Sequence, residues 1–331
     1  MTRTFLIDTD GGSDDVVALI MALRSRAVRV RAITTVAGNV PVEQATRNVL
    51  YTVELCAAET PVFRGAARPL VKKLETAQWF HGRDGLGDHG YAPERRQPET
   101  IDAVDAMVET VLANPGMEIV TLGPLTNLAL AIQREPKVVP AIGRLVVMGG
   151  APCCEGNVTP AAEFNMWVDP EAAKMVFRAG LPIEMAGWHL CRGRAALDPE
   201  DIEKILALGT PLAEFVIRSN SVAAEAYRAQ TGEIGISLPD PIAMAIALQP
   251  ELCLSASRHH VDIETASELT RGMTVVDRLN VAEDERAQHV LEERPVERDH
   301  SCRDGDIAVH ADFLGRNNSN PARCRGDIIL T

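Results

Sequence analysis

The chain has 331 residues and a formal net charge of −13, which argues against a nucleic-acid polymer as partner, because binding a polyanion draws on clustered Lys and Arg. Its longest apolar run, residues 16–23, is far shorter than the roughly 20 residues needed to cross a bilayer, so we expect no membrane span. The N-terminus lacks a secretory pattern, and the seven cysteines show no CxxC or zinc-type spacing, which favours reduced thiols and a cytoplasmic location.

Short apolar runs alternate with helical patterns through the first two thirds of the chain. The runs cover residues 5–10, 32–37, 118–123, 145–150 and 183–187. Alternation of this kind, with strands that are apolar on both faces, predicts an α/β fold with a mostly parallel sheet and helices on both faces. Ligands of such folds bind beyond the carboxyl ends of the strands. The motifs described below all fall at such an end or in the loop that follows it.

Two stretches break this alternation. Residues 199–252 show several helical patterns, which we expect to pack around the pocket or against the sheet. Residues 283–299 are densely charged and predict a solvent-exposed excursion between late strands. Since there is no internal repeat or low-complexity linker, we expect residues 1–331 to form a single domain with that excursion.

Four carboxylates crowd one strand-to-helix turn, in the segment Asp8-Thr9-Asp10-Gly11-Gly12-Ser13-Asp14-Asp15. Ser13 as a helix cap and Asp14 and Asp15 as partners of the helix dipole would explain only part of the pattern. Asp8 and Asp10, which point to the same side of a strand, are not explained by these roles. Like charges this close resist joint ionisation unless a cation compensates them. An all-oxygen set selects a hard cation, either Ca²⁺ or Mg²⁺.

This segment resembles the DTDxGxDD opening of the inosine-uridine preferring nucleoside hydrolase family, and further matches follow in the same order. They are Gly38-Asn39, Asn48, the HGRDGLG segment 81–87, the GPLTN segment 123–127, Gly156-Asn157, the AEFN segment 162–165, the DPEAA segment 169–173, Asp240-Pro241 and the LTRG segment 269–272. A lone DxD would be a weak signal, whereas this ordered series covers most of the chain. The resemblance implies a Rossmann-like nucleoside hydrolase fold.

The resemblance also assigns site residues. It implies Ca²⁺ as cofactor, bound by Asp10, Asp15, Asp240 and the main-chain carbonyl of Thr126. It places the ribose against Asp14, Asn39, Glu163 and Asn165, with Asn157 as a further candidate. Ca²⁺ accepts six to eight oxygens, which leaves places for a water and for sugar hydroxyls. Asp10 would take the proton of that water, and the attack at C1′ would release ribose and free base.

One position departs from the family pattern. Many members carry a histidine directly before the Asp at position 240, where it protonates the departing base, and this chain has Pro239 there. Proline cannot donate a proton. We predict that His189, just past a predicted strand end, replaces it; a core or solvent-facing role is the alternative. His81 is a second candidate acid, with a loop-orienting hydrogen bond as its alternative.

Two tryptophans, Trp79 and Trp188, are candidates to stack on the base. Their alternative is ordinary core burial, which suits Trp167 better than stacking. The substrate is expected to be a small free nucleoside, and the protein a homodimer or a homotetramer.

Two other functions remain open from the sequence. A Ca²⁺-stabilised nucleoside-binding protein without turnover would bind nucleosides and release no ribose. An apolar strand ending in DxD also opens the haloacid-dehalogenase-like phosphatases, in which the first Asp is the nucleophile. Release of phosphate from a phosphomonoester would favour that reaction. Asp14, Asp15 and the GPLTN segment have no place in its pattern.

Overall fold

A computed structural model describes residues 2–281 and 288–291. The strands are β1 (Arg3–Thr9), β2 (Val28–Thr35), β3 (Val62–Arg64), β4 (Met117–Thr121), β5 (Ile142–Met148), β6 (Ile183–Ala186), β7 (Ala256–Ile263), β8 (Thr274–Asp277) and β9 (Gln288–Leu291). The α-helices are α1 (Asp15–Arg24), α2 (Val42–Leu55), α3 (Gln78–His81), α4 (Ala103–Ala113), α5 (Thr126–Arg134), α6 (Val138–Ala141), α7 (Phe164–Val168), α8 (Pro170–Phe177), α9 (Pro199–Leu206), α10 (Pro211–Ser219), α11 (Ser221–Thr231) and α12 (Pro239–Leu248). Short 3₁₀ turns cover Trp188–Cys191, Gly193–Ala195 and Pro250–Leu252.

The strands form one sheet in the order β3-β2-β1-β4-β5-β6-β9-β7-β8. Pairing is parallel from β3 through β9, and β7 is antiparallel to both of its neighbours. Successive residues of β1 point to opposite faces, so Phe5 and Ile7 join one core cluster and Leu6 joins the other. Both faces are therefore covered, and the predicted α/β fold with a mostly parallel sheet is confirmed.

The five apolar runs correspond to β1, β2, β4, β5 and β6, and the helices predicted within residues 199–252 are α9 to α12. The structure differs from the prediction at residues 288–291, which form β9 inside the sheet rather than a solvent-exposed excursion. Val290 and Leu291 are buried there, and the charge of the surrounding segment hid this short apolar pattern. Residues 283–287 and 292–299 of that segment lie outside the described residues. None of the described helices combines the length and apolarity that a bilayer-spanning helix needs.

A cluster of partly buried charges fixes the carboxyl end of α12 to the sheet. Glu118 on β4 accepts hydrogen bonds from Arg3 Nε at 2.6 Å and from Arg144 Nη1 at 3.2 Å. Arg3 also donates to the carbonyls of Ala247 and Leu248 at 2.6 and 2.9 Å, and Arg144 donates to Ala247 at 3.1 Å. Cations at a helix carboxyl end are favourable because the last carbonyls lack partners in the helix. The opposite end of α12, which carries Asp240 in its first turn, is thereby held in place.

We expect Glu118→Gln to lower the free energy of unfolding at neutral pH by about 1–3 kcal/mol, the scale of hydrogen bonds to charged groups. Burial opposes ionisation of Glu118, but Arg3 and Arg144 outweigh it and lower its pKa below the ordinary 4.5. The ionised form therefore stabilises the fold above that pH, and the difference between variant and parent should vanish as the pH falls through the folded pKa.

Urea titrations at pH 7 and at a series of pH values descending from 4.5 measure both effects. Asp105→Asn is the matched control, because the Asp105–Arg134 pair is about half exposed and its loss should change stability by less than about 0.5 kcal/mol. Equal effects of the two substitutions at pH 7 would contradict the anchoring role of Glu118.

Candidate active site

The turn after β1 brings the carboxylates of α1 into the protein interior. Gly11 has a φ of 67°, and a Cβ there would lie 2.8 Å from the backbone of Ala45, so only glycine fits. The Asp15 carboxylate closes the turn, because its two oxygens accept from the backbone N–H groups of Asp10 at 3.2 Å and Gly12 at 2.9 Å. Asp15 therefore stabilises the turn as well as contributing a carboxylate to the acidic group.

Asp10 is fully buried, and Asn39 supplies its hydrogen bonds. The Asn39 backbone N–H donates to Asp10 Oδ2 at 2.6 Å, and Asn39 Nδ2 donates to Oδ1 at 3.0 Å. Two glycines make room for this carboxylate: a Cβ on Gly38 would lie 2.0 Å from Asp10 Oδ2, and one on Gly123 would lie 2.9 Å from Asp10 Cβ. The glycines of the GN and GPLTN segments therefore serve the burial of Asp10.

Asp14, Asp15 and Asp240 form a compact buried group, with ligand oxygens all within 4.8 Å of one another. Burial and the charge of Asp15 raise the pKa of Asp14 to about 8, and burial and neighbouring carboxylates raise that of Asp240 well above its ordinary value. Asp14 Oδ1 is buried without a hydrogen-bond partner. An all-oxygen set with an unsatisfied oxygen fits a hard divalent cation.

Thr126 and Asp8 lie near the carboxylate group and make hydrogen bonds to other parts of the fold. Thr126 begins α5, and its hydroxyl donates to Asp169 Oδ2 at 2.7 Å. Asp8 accepts at Oδ1 from Thr34 at 2.6 Å and from Asn127 at 2.8 Å, so it ties β1 to β2 and to α5. Burial is the main reason that the pKa of Asp8 is raised, to about 7. The structure thus separates Asp8, in a framework role, from the carboxylates of the turn.

A cavity lined by apolar, amide and carboxylate side chains opens at this edge of the sheet, and such a mixture is typical of small-ligand sites. Nine of the lining residues were singled out from the sequence as site residues: Asp14, Asn39, Trp79, His81, Asn157, Glu163, Asn165, Trp188 and Asp240. The others are Ala77, Phe80, Leu122, Met148, Val158, Phe164, Asn220, Ala223, Gln230, Ser237 and Pro239. Asn220 and Gln230 carried no local motif; only the expectation that residues 199–252 surround the pocket pointed to their region.

Glu163 and Asn165 are held in place before any ligand binds. Glu163 precedes α7 and accepts at Oε2 from Gly150 N at 2.8 Å and at Oε1 from Asn165 N at 2.9 Å. Asn165 Nδ2 donates to the carbonyls of Leu122 at 2.8 Å and Met148 at 3.3 Å, at the ends of β4 and β5. Burial raises the pKa of Glu163. Both side chains are therefore prepositioned at the cavity wall.

His81 is buried at the cavity with one ring nitrogen committed. Its Nδ1 lies 2.9 Å from Ser13 Oγ and accepts from Ser13 N at 3.4 Å, and Asp14 Oδ1 lies 3.8 Å away. Because a backbone N–H can only donate, this arrangement leaves the proton on Nε2. Burial lowers the pKa of His81 to about 4, so the ring is neutral at physiological pH.

His189 lies apart from this group. Its Nε2 donates to the Leu291 carbonyl of β9 at 2.9 Å, and it is absent from the described residues that line the cavity. The 3₁₀ turn after β6 directs Trp188 to the cavity instead, although only 5% of that side chain is exposed. Trp79 is 58% exposed and also lines the cavity. The sequence thus identified the turn after β6 correctly, but Trp188 and not His189 faces the cavity.

Comparison with known proteins gives a consistent result. The family model described as inosine-uridine preferring nucleoside hydrolase matches residues 5–300. The pyrimidine-specific ribonucleoside hydrolase RihA of Salmonella enteritidis is 40% identical over 281 residues, covering 84% of this chain and 89% of RihA. Among solved structures, a plant nucleoside hydrolase has a TM-score of 0.84 at 30% identity, covering 88% of this chain and 95% of its own. A purine-preferring ribonucleoside hydrolase from Gardnerella vaginalis has a TM-score of 0.81 at 30% identity, covering 87% and 93%.

We expect chelation to lower the melting temperature, because Asp14, Asp15 and Asp240 would then be an uncompensated buried cluster. A divalent cation at a hundredfold excess over its Kd should restore about 2.7 kcal/mol of stability. Calorimetry with chelator and then with added Ca²⁺ or Mg²⁺ measures this. Asp240→Asn should weaken the response at least about tenfold in cation concentration, whereas Asp105→Asn, an exposed control, should leave it unchanged. A melting temperature indifferent to chelation would show that the cluster holds no cation.

Proposed function

Since the chain belongs to the inosine-uridine preferring nucleoside hydrolase family and is therefore a glycosidase acting on ribonucleosides, we propose that Ca²⁺ is its cofactor and Asp10 its general base. The observation that carries this proposal is the buried group of Asp14, Asp15 and Asp240 beside Asp10, at a cavity lined by amides and carboxylates. We assign Asp10, Asp15, Asp240 and the Thr126 carbonyl to the cation. When bound, Ca²⁺ supplies charge that orients sugar hydroxyls and makes water more acidic.

Asp10 is suited to take a proton from the attacking water. Burial and the negative charge of Asp15 raise the Asp10 pKa well above its ordinary value, which increases the affinity of the carboxylate for a proton. The two hydrogen bonds from Asn39 fix both carboxylate oxygens. A carboxylate fixed in this way is suited to act as a general base toward a water bound next to it.

The ribose is assigned to the amides and carboxylates of the cavity: Asp14, Asn39, Asn157, Glu163 and Asn165. Carboxylate oxygens accept from sugar hydroxyls, and amides can donate or accept. The Asn157 side chain is itself held at Oδ1 by Phe164 N at 2.9 Å. This wall would position C1′ against the water that Asp10 deprotonates, and oxocarbenium-like character would develop on the sugar as the bond to the base breaks.

For the leaving base, the geometry favours His81 over His189. His81 lines the cavity and carries its proton on Nε2, whereas His189 Nε2 is bonded to a carbonyl of β9. A neutral imidazole N–H can stabilise developing charge on the base by a hydrogen bond. Trp79 and Trp188 are proposed to contact the base from the same cavity.

Neither alternative function is favoured. A haloacid-dehalogenase-like reaction, in which Asp8 would be the nucleophile, is disfavoured because the matching family model and the relatives are nucleoside hydrolases. A binding protein without turnover is disfavoured by the relatives, which are named as hydrolases. A cytoplasmic location and a homodimeric or homotetrameric assembly stay predictions. The names of the relatives include both pyrimidine-specific and purine-preferring enzymes, so similarity does not choose the base.

We expect Asp10→Asn to reduce kcat on inosine and uridine by more than about a hundredfold, because the amide keeps the shape of the side chain but cannot accept the proton. Release of reducing sugar measures the rate, and circular dichroism checks that the fold is retained. A variant with nearly normal kcat would show that another group deprotonates the water.

We expect His81→Ala to lower kcat on natural nucleosides by roughly a hundredfold while changing the rate with a nitrophenyl riboside far less, since nitrophenolate departs without a proton. His189→Ala is the matched control and should alter the ratio of the two rates by less than about threefold. The reverse pattern, with the natural substrates sensitive only to His189, would restore His189 as the acid.

We expect kcat/KM for inosine to exceed that for inosine 5′-monophosphate by at least about tenfold, because Asp14, Glu163 and Asp240 make the cavity wall acidic. Arg83 and Arg192 do not line the cavity and pair instead with Asp88 and Glu155. Initial rates at matched Ca²⁺ concentrations test this. Equal specificity constants would contradict it.

A further inference from the structure

Resting on the proposed function, we propose that this cavity cleaves ribosides whose base carries a fixed positive charge, such as N-ribosylpyridinium and N7-alkylpurinium ribosides, in preference to neutral nucleosides. Three features of the cavity carry the inference: the sign of its charge, its aromatic wall and its shortage of proton donors at the place where the base departs.

The charge of the cavity is negative. Asp14, Glu163 and Asp240 line it, and an Asp15 oxygen lies within 4.8 Å of those of Asp14 and Asp240. None of the described lining residues is Lys or Arg. A wall that carries carboxylates and no basic side chain among its described residues favours a cationic substrate over a neutral one.

Aromatic rings form part of the same wall. Trp79, Phe80, Phe164 and Trp188 all line the cavity. Trp79 is more than half exposed, and its ring packs edge-on against Phe80 with the ring centroids 5.5 Å apart. Aromatic faces attract cations through their quadrupole, most strongly in tryptophan, and they also stack on flat heterocycles. A flat cationic base satisfies both interactions.

The described wall of the cavity offers a departing base one imidazole, that of His81, and no proton donor at the position directly before Asp240. Pro239 begins α12 directly before Asp240 and presents an apolar ring without a donor. Ser237 Oγ donates to the Cys191 carbonyl at 2.8 Å, and Asn220 Nδ2 donates to the Ser13 carbonyl at 3.0 Å. His81 keeps one N–H, because its Nδ1 faces Ser13. A substrate that leaves without a proton is therefore the better match.

A cationic base meets this condition. When its C1′–N bond breaks, the electron pair of that bond moves to the ring nitrogen and cancels the positive charge, so the base departs neutral. The water oxygen forms the new bond to C1′, and the water proton passes to Asp10 and then to solvent. The products are ribose, a neutral heterocycle and one proton, and water is the co-reactant. A neutral nucleoside, by contrast, must release an anionic base or receive a proton as it leaves.

The test compares N-ribosylnicotinamide, whose positive charge is independent of pH, with uridine, and adds as a second pair 7-methylinosine and inosine at a pH low enough to keep N1 of 7-methylinosine protonated. The full-length enzyme with Ca²⁺ is used, and each rate is corrected for the reaction in buffer. We expect kcat/KM to favour the cationic member of each pair by at least about tenfold, one order of magnitude in specificity.

Two variants separate the causes. Pro239→His introduces an imidazole beside Asp240 and should raise kcat on inosine and uridine about tenfold or more while leaving the cationic substrates within about twofold. Pro239→Ala removes the proline without adding a donor and should do neither. Trp79→Leu should lower kcat/KM for the cationic substrates by about threefold to thirtyfold, and by less for the neutral ones.

Failure of this inference differs from failure of the proposed function. Hydrolysis of inosine or uridine at least as fast as of their cationic partners would overturn the inference and leave the nucleoside hydrolase function intact. Absence of ribose release from every substrate, including a nitrophenyl riboside, would overturn the proposed function itself. Equal stimulation of neutral and cationic substrates by Pro239→His and Pro239→Ala would also overturn the inference, since a proton donor would then be irrelevant.

Discussion

Burial of the Asp10 carboxylate is the constraint on which this edge of the molecule depends. An ionised group removed from water is costly unless donors or cations surround it. Asn39 supplies two donors, and Gly38 and Gly123 leave space that any side chain would fill. The loops after β2 and β4 are thus shaped around the carboxylate of Asp10, in the turn that follows β1. The glycines in these loops are required by the packing around Asp10.

The remaining carboxylates depend on elements that are distant in sequence. Asp14 and Asp15 belong to the first helix of the chain, whereas Asp240 arrives on α12, more than two hundred residues later. Their proximity is maintained by packing of α12 along the buried face of the sheet and by the arginines that hold its carboxyl end. A site of mutually repelling groups is therefore imposed by a scaffold whose own contacts are apolar or charge-paired. Carboxylates held together in this way favour the binding of a cation, because a cation relieves their mutual repulsion.

Much of this could be predicted from the sequence, and the limits have physical causes. Strands buried on both faces are continuous apolar runs, so β1, β2, β4, β5 and β6 were evident, whereas β9 is four residues long inside a charged stretch. Nine predicted site residues line the cavity because they follow strand or turn motifs. His189 does not, since motif spacing locates a turn but not which of two adjacent side chains faces inward. Asn220, between α10 and α11, and Gln230, on α11, belong to a region in which no sequence motif marks individual site residues.

The position of β9 has a consequence for the order in which the sheet is completed. It pairs parallel to β6 on one side and antiparallel to β7 on the other, although it follows β7 and β8 in the chain. Within the described residues, the β7–β8 hairpin joins the sheet only through this four-residue strand. During synthesis, the hairpin therefore emerges from the ribosome before β9, the strand that joins it to the sheet. Until β9 is made, the edge of β7 that pairs with it has no partner strand. A nascent chain arrested shortly before residue 288 would carry Asp10, Asp14, Asp15 and Asp240 and yet hold an open sheet edge.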